Sequence, residues 1–491
     1  MLRRRPRGRA RQYVHPDRER RIVAGTLARS GHYTATVLTV CMIFFVAMLH
    51  TTEVRAQLEF SVSPSPVGSG ARAAGMADAF IAIADDATAA SWNPAGLVQL
   101  QRPEISIVGA FNAVSEEFHS SGMPDVDSSQ YSDAIDLNFL SVVYPLPFSL
   151  GTKNLTLSLS YQRKYDFTRT FDVDFTTISN PGGAVNVTDW TFDFEQTGGF
   201  ATLSPSLALE LTETLSVGAS FNFWRSSFLS ENGWEKEVVS RAETTSDGVP
   251  LSITNQTIRE EYEDLSGENY TIGVLWKVTP KFALGLRYDT SFTADADFES
   301  DLIRDGMTLV SVSEDREINF PDTWSIGASY RVNDRLTFAF DFSRTDWNDF
   351  YVERADGEQF SLIDGTNLDD PATHTEFDPT HTARLGAEYV LIPKTTGAEL
   401  NALWSLRGGL FFDQEPASGR TLDEPVGDGH ADDFYGIAMG VGLLAYQRVN
   451  IDLAYQFRYG HDVNGDFISG PQSFDEDVFQ HRVLLSTVIY F

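Results

Sequence analysis

Residues 270–288 read YTIGVLWKVTPKFALGLRY. Tyr270, Ile272, Val274, Trp276 and Val278 place an apolar side chain at every second position, with Thr271, Gly273, Leu275 and Lys277 between them. After Thr279-Pro280 the alternation resumes, with Phe282, Leu284, Leu286 and Tyr288 on one face and Ala283, Gly285, Arg287 and Asp289 on the other. Successive side chains of an extended chain point to opposite faces. The stretch is therefore two strands, each with one apolar face, joined by a short turn.

Similar runs centre on 104–111, 136–144, 154–170, 190–211, 214–227, 268–278, 281–291, 319–332, 335–347, 380–391, 401–413, 432–446, 448–460 and 479–491, fourteen in all. The links between them alternate in length: 112–135, 171–189, 228–267, 292–318, 348–379, 414–431 and 461–478 are long, and those in between are short. An up-and-down meander with all its tight turns at one end gives this order, and transmembrane barrels have short periplasmic turns and long external loops. A soluble sandwich or propeller is the alternative. Two features oppose it. Aromatic residues gather near strand ends, as membrane girdles require. The other face carries charges in mid-strand: Arg287, Asp289, Asp341, Arg384, Glu388, Arg407, Asp452, Arg458 and Arg482. In lipid the apolar face turns outward and the polar face lines the lumen. Such Arg/Asp sets are read as pairing with one another in a buried polar wall. The expected fold is all-β, a 14-stranded antiparallel transmembrane β-barrel over residues 102–491. Its last strand ends at Phe491, which resembles the signal read by the outer-membrane barrel assembly machinery.

Charge is unevenly placed. The chain has 491 residues and a formal net charge of -32, which argues against a nucleic-acid binder. Residues 1–56 nevertheless hold 11 Lys/Arg against 3 Asp/Glu. Arg-rich residues 3–29, the apolar run Ala35–Leu49 and Val54-Arg55-Ala56 follow the order of a secretion signal. Residues 1–56 are expected to be that signal. The apolar run is shorter than the roughly 20 residues of a spanning helix. An uncleaved anchor is the alternative, and Val40 before Cys41 argues against a lipoprotein site. The long basic stretch leaves the true start codon open. Beyond Cys41 there is no cysteine, which suits an oxidising compartment and excludes thiolate metal sites.

Residues 57–101 precede the first strand. Gly70–Ala84 is Ala- and Gly-rich with Met76, Phe80, Ile81 and Ile83, which suits a short, tightly packed helix. Asp86 is placed to cap a second helical turn over Ala87–Trp92. Asn93-Pro94-Ala95-Gly96 fits a type I turn. A helical piece of this size fits inside a fourteen-stranded barrel as a plug; a cap outside the barrel is the alternative.

The stretch GARAAGMADAFIAIADDATAASWNPAGL (70–97) resembles the N-terminal hatch of FadL/TodX-type outer-membrane transporters of long-chain fatty acids and other hydrophobic compounds. The Asn93-Pro94-Ala95 triplet is that family's hallmark. Residues 203–221, 321–350, 381–390 and 403–419 extend the resemblance over nearly the whole chain beyond the leader. It implies a monomeric barrel in the outer membrane, closed by its hatch, that captures an apolar ligand outside and passes it inward. It also implies that the mature N-terminus, here Gln57, Leu58, Glu59 and Phe60, reaches toward the ligand. The expected ligand-binding or gating residues are Gln57, Leu58, Phe60, Phe80, Ile83, Trp92, Asn93, Pro94 and Ala95. At Ala77-Asp78 the chain departs from the family, where Gly-Gly is usual.

An apolar ligand crosses lipopolysaccharide better in a protein pocket than in a water-filled pore. Each buried methylene favours transfer by roughly 0.8 kcal/mol. Aromatic or alkane hydrocarbons ask for the same lining as fatty acids; a general porin and an outer-membrane hydrolase are the more distant alternatives. Pro205, preceded by Gly198-Gly199, lies inside a strand where proline cannot donate to the ladder. It is read as a local break in the wall, with a harmless bulge as the alternative. The acidic link 292–318 is read either as a cation-binding or as a solvated loop. No Gly-x-Ser-x-Gly elbow, phosphate loop or His-Glu-x-x-His is present, so no enzyme and no cofactor are expected. His374, His381, Glu376 and Asp378 have no recognised ligand spacing, so no metal site is expected either.

Overall fold

The computed structural model describes residues 69–120, 128–147, 153–180, 183–227, 229–363, 367–369, 377–393, 401–416, 431–463 and 474–491. The leader 1–56, together with Gln57, Leu58, Glu59, Phe60, His374 and Glu376, lies outside the described residues.

The strands are β1 (Glu104–Ser120), β2 (Ser128–Pro145), β3 (Leu155–Asp166), β4 (Arg169–Ser179), β5 (Asn186–Glu210), β6 (Leu215–Trp224), β7 (Gly233–Ser246), β8 (Val249–Thr279), β9 (Phe282–Asp289) and β10 (Phe292–Arg304). They continue as β11 (Met307–Phe320), β12 (Thr323–Asn333), β13 (Leu336–Thr345), β14 (Tyr351–Glu353), β15 (Gln359–Ser361), β16 (Thr380–Leu391), β17 (Ala402–Glu415), β18 (Asp432–Ala445), β19 (Val449–Val463) and β20 (Phe474–Tyr490). Fourteen of them close a ring in the order β1-β2-β3-β5-β6-β8-β9-β12-β13-β16-β17-β18-β19-β20, and β20 returns to β1. Every pairing is antiparallel, and the fourteen are the fourteen alternating runs of the sequence.

The apolar face of the wall turns outward. Ile272 and Trp276 are each 47% exposed, whereas Thr271 on the opposite face is 2% exposed. Among the described residues no helix is long and apolar enough to cross a membrane. Seven of the nine charges assigned to the lumen form ion pairs among the described residues: Arg407 with Glu388 and Asp452, Arg384 with Asp413, Arg458 with Glu415, and Arg287 with Asp289, whereas Asp341 instead accepts backbone amides.

Four links read as loops are strands instead. Over 171–189, 228–267, 292–318 and 348–379 lie parts of β4 and β5, β7, the first half of β8, β10 with β11, and β14 with β15. They pair as β4-β5-β7-β8-β10-β11-β14-β15, a second sheet that continues β5 and β8 beyond the barrel. β8 alone runs for 31 residues. One face of this collar buries Trp234, Tyr262, Phe298 and Phe320. The other is acidic: Asp295, Asp297 and Glu299 alternate with buried Ala294, Ala296 and Phe298. That charge is what made 292–318 read as a solvated loop.

Inside the ring lies segment 69–100. Its helices are short: α1 (Ala71–Ala74), α2 (Ala89–Trp92) and a 3-10 helix, Pro94–Gln99. The helix expected over Gly70–Ala84 shrinks to α1, because Ala77 and Asp78 adopt positive φ values of 56° and 62° and end it. Glycine adopts this backbone at least cost, which accounts for Gly-Gly being usual there. Here Asp78 is held by a hydrogen bond from Gln456 Nε2 at 2.9 Å. Asp86 accepts from the amide of Thr88 at 2.9 Å, just ahead of α2. The expected turn at Asn93 exists, with Gly96 N donating to Asn93 O at 2.8 Å, but it continues into the 3-10 helix.

Candidate ligand pocket and the segment below it

Contacts from segment 69–100 reach the wall on all sides. Asp341 of β13 accepts from the amides of Phe80 (2.6 Å) and Ile81 (2.8 Å). Arg72 pairs with Glu388 of β16 at 3.0 Å, and Gln456 of β19 donates to Ala74 O at 3.1 Å. Ser216 and Ser220 of β6 donate to Ala95 O and Ala90 O, and Ser141 of β2 to Ala87 O.

Asn93 is the centre of this fit. It is fully buried, and its Nδ2 donates to Ile81 O (2.9 Å) and to Val274 O of β8 (3.0 Å), while its Oδ1 accepts from Ala95 N (3.2 Å). The side chain thus ties two parts of the segment to each other and to the wall. Pro94 starts the 3-10 helix where no amide hydrogen is needed. The wall strand comes this close because Gly273 has no side chain: a Cβ there would stand 2.1 Å from Asn93 Oδ1. Gly218 presents the same bare backbone to Pro94. Phe80 and Trp92 are buried edge to face at 6.1 Å, with Ile83 in the same cluster. Among the expected site residues, the structure brings Phe80, Ile83, Trp92, Asn93, Pro94 and Ala95 together as packing of this segment.

The pocket lies one layer further toward the long-loop end of the same strands. Lys164, Tyr165, Asn222, Trp224, Asn269, Asp289, Phe292, Phe320, Pro321, Thr323, Thr345 and Trp347 line it. Moving along β6, β8, β9, β12 and β13 from segment 69–100 to the pocket, the lumen face passes Ser220, Thr271, Arg287, Ser325 and Ser343, a hydroxyl-rich layer that includes the Arg287–Asp289 pair. Aromatic rings dominate the pocket: Phe292 and Phe320 stack at 4.6 Å, Trp224 and Phe292 at 5.0 Å. The indole donors of Trp224 and Trp347 are taken by Asn269 and by Thr380. Trp224, Phe292 and Phe320 are stacked on one another, so a ligand reaches their apolar faces only as the rings part.

A bulge supplies the pocket's cation. In the β3–β5 ladder Arg163 pairs with Ala201 and Tyr165 with Phe200, so Lys164 is the extra residue. Bulges re-aim side chains, and this one sets Lys164 and Tyr165 on the pocket together. Lys164 has no hydrogen-bond partner among the described residues; its charged neighbours are Arg287 and Asp289. Asp289 is already engaged by Arg287 (2.7 Å) and by the hydroxyl of Thr271 (2.6 Å). Lys164 is therefore the spare positive charge of the pocket. Sequence reasoning passed over it because it sat within a run read as uniform strand.

The wall beside the pocket is branched. At Gly198-Gly199, β5 changes neighbours: before it β4 and β7 flank the strand, after it β3 and β6. Gly198 has φ 124°. Pro205 pairs with Leu159 of β3, while the ladder to β6 skips from Leu203 to Ser206. At the branch Asn232 stands in for a strand, accepting from Ala201 N and donating to Ala201 O, both at 2.8 Å. Replacing Asn232 by alanine strands both Ala201 groups and is expected to cost about 2 kcal/mol, measured as guanidinium unfolding in liposomes. An unchanged unfolding midpoint would show that water satisfies the gap.

The family described as outer membrane protein transport protein (OMPP1/FadL/TodX) matches residues 65–467. The chain belongs to it. It is an outer-membrane transporter of hydrophobic compounds. A Pseudomonas aeruginosa FadL homologue superimposes with a TM-score of 0.56 at 15% identity, covering 88% of this chain and 100% of that one. The Pseudomonas putida toluene transporter TodX is similar at 13% identity and TM-score 0.49, over 89% of this chain and 100% of that one. The Ralstonia pickettii toluene transporter TbuX has 13% identity and TM-score 0.48, over 86% and 98%. A search of curated proteins gives no match. The first of these likenesses supports the barrel fold that FadL-type chains share.

Proposed function

We propose that the protein takes up long-chain fatty acids, holding the carboxylate at Lys164 and laying the alkyl chain along Tyr165, Trp224, Phe292, Phe320 and Trp347. The observation that carries this reading is the spare ammonium of Lys164 among aromatic faces. A hydrocarbon without a headgroup leaves that charge unanswered, whereas a carboxylate pairs with it. A 16-carbon chain contributes on the order of 10 kcal/mol by leaving water, before the entropic costs of binding.

Segment 69–100 then acts as the hatch. It stands between the pocket and the short-turn end, so release requires it to shift or the ligand to leave sideways. The branch at Gly198-Gly199 and the interrupted ladder at Pro205 are the proposed place for sideways exit. The same reading has Gln57, Leu58 and Phe60 reaching toward the ligand, the leader directing export, lipopolysaccharide around the rim, and exposed Phe491 guiding assembly of a monomer.

Displacement of a fluorescent fatty acid from the detergent-solubilised barrel tests it. Lys164→Ala is expected to weaken palmitate binding about tenfold, which corresponds to about 1.4 kcal/mol, and to leave toluene binding unchanged. Equal losses for both ligands, or for neither, would refute the carboxylate role and favour hydrocarbon cargo.

A further inference from the structure

The outer rim of the closing seam gathers residues from both ends of the chain. On β1, Glu117 and His119 face outward, and in register Glu117 lies directly opposite Asp477 of β20. On the other side of β20, the ladder to β19 slips between Gly460 and Val463. This bulge brings His461 and Asp462 up to the same Asp477. Donor atoms of Glu117, His119 and Asp477 lie within 4.8 Å of one another, and so do donor atoms of His461, Asp462 and Asp477.

Three observations ask for a cation here. First, Glu117 and Asp477 are like charges directly across an antiparallel pair, a destabilising arrangement. Second, no Lys or Arg forms an ion pair with Glu117, Asp462 or Asp477 among the described residues. Third, the imidazole of His461 is already set. Its Nδ1 lies 2.6 Å from Asp477 Oδ1, which places the ring between the two carboxylates. That Nε2 lies 3.5 Å from Asp462 Oδ2. Two ligands on one tetrahedral zinc sit about 3.3 Å apart.

We infer that the rim of the β1–β20–β19 seam is a divalent transition-metal site, built from His461 and Asp462, His119 and Glu117, around the shared Asp477. Mixed imidazole and carboxylate donors select zinc, nickel or copper, whereas calcium and magnesium prefer oxygen alone. Bound there, the ion ties the first strand of the barrel to the last two. The expectation of no metal site rested on spacing within one stretch of sequence, and these ligands are far apart in the chain.

The test is zinc titration of the detergent-solubilised full chain by calorimetry, with folding checked by circular dichroism and heat-dependent gel mobility. Each of His461→Ala and His119→Ala is expected to weaken zinc binding at least tenfold, and the double variant to abolish it. His381→Ala, on β16, is expected to change nothing. Zinc is expected to raise the unfolding temperature of the native protein and not that of the double variant. Binding unaffected by the double variant, no binding at all, or equal competition by millimolar calcium would overturn the site.

Discussion

Gly273→Val is expected to open the pore. With segment 69–100 seated as the proposed hatch, the barrel should conduct almost no ions in a planar bilayer, and the variant should show stable open-channel conductance. The cause is contact at one point. A Cβ at Gly273 stands 2.1 Å from Asn93 Oδ1 and 2.9 Å from Pro94 Cδ, and the valine methyls reach further. Overpacking of this kind costs roughly 1–3 kcal/mol. Asn93 also loses its hold on Ile81, Val274 and Ala95, at about 1 kcal/mol each. Together about 4 kcal/mol shifts the seated-to-unseated ratio by about a thousandfold. Valine is a better strand residue than glycine, so the wall itself keeps its pairing. Gly408→Ala is the control, because its Cβ would find nothing nearer than 3.8 Å. An equally silent Gly273→Val channel, with residues 69–100 still protected from protease, would show that this contact does not seat the plug.

The second large effect belongs to Arg407. It is buried between Glu388 (2.8 Å) and Asp452 (2.7 Å), and Glu388 also receives Arg72 of segment 69–100. Arg407→Ala leaves Asp452 without its ion pair and Glu388 with one partner instead of two. Removing one member of a buried pair costs about 3–5 kcal/mol, because the charges left behind stay desolvated. Unfolding in liposomes should show a loss of that size. It should persist in high salt, since buried pairs are screened far less than exposed ones. A loss under about 1 kcal/mol would mean that water reaches these groups.

Much of this architecture was readable from alternation alone. The tight links at Thr279-Pro280 and Asn333-Asp334 fixed the meander, and Thr271 against Ile272 fixed which face is wet. The collar was hidden for a physical reason: Asp295, Asp297 and Glu299 obey the same period as any strand, but charge on the exposed face imitates a loop. Asn93-Pro94 was legible as a turn, yet not as a clamp, because Val274, the partner of Asn93 on the wall, is 181 residues away. Lys164 gave no signal at all. Its place on the pocket comes from a one-residue slip in the β3–β5 register, and a slip is a property of two strands rather than of either sequence.

The length of β8 carries a last consequence. A barrel strand crosses the bilayer in about 9–11 residues, and β8 has 31. At about 3.3 Å per residue the surplus amounts to several tens of ångströms of ribbon standing clear of the hydrocarbon. On the proposed uptake route an oily molecule meets this chimney before any lipid, and its descent begins on protein.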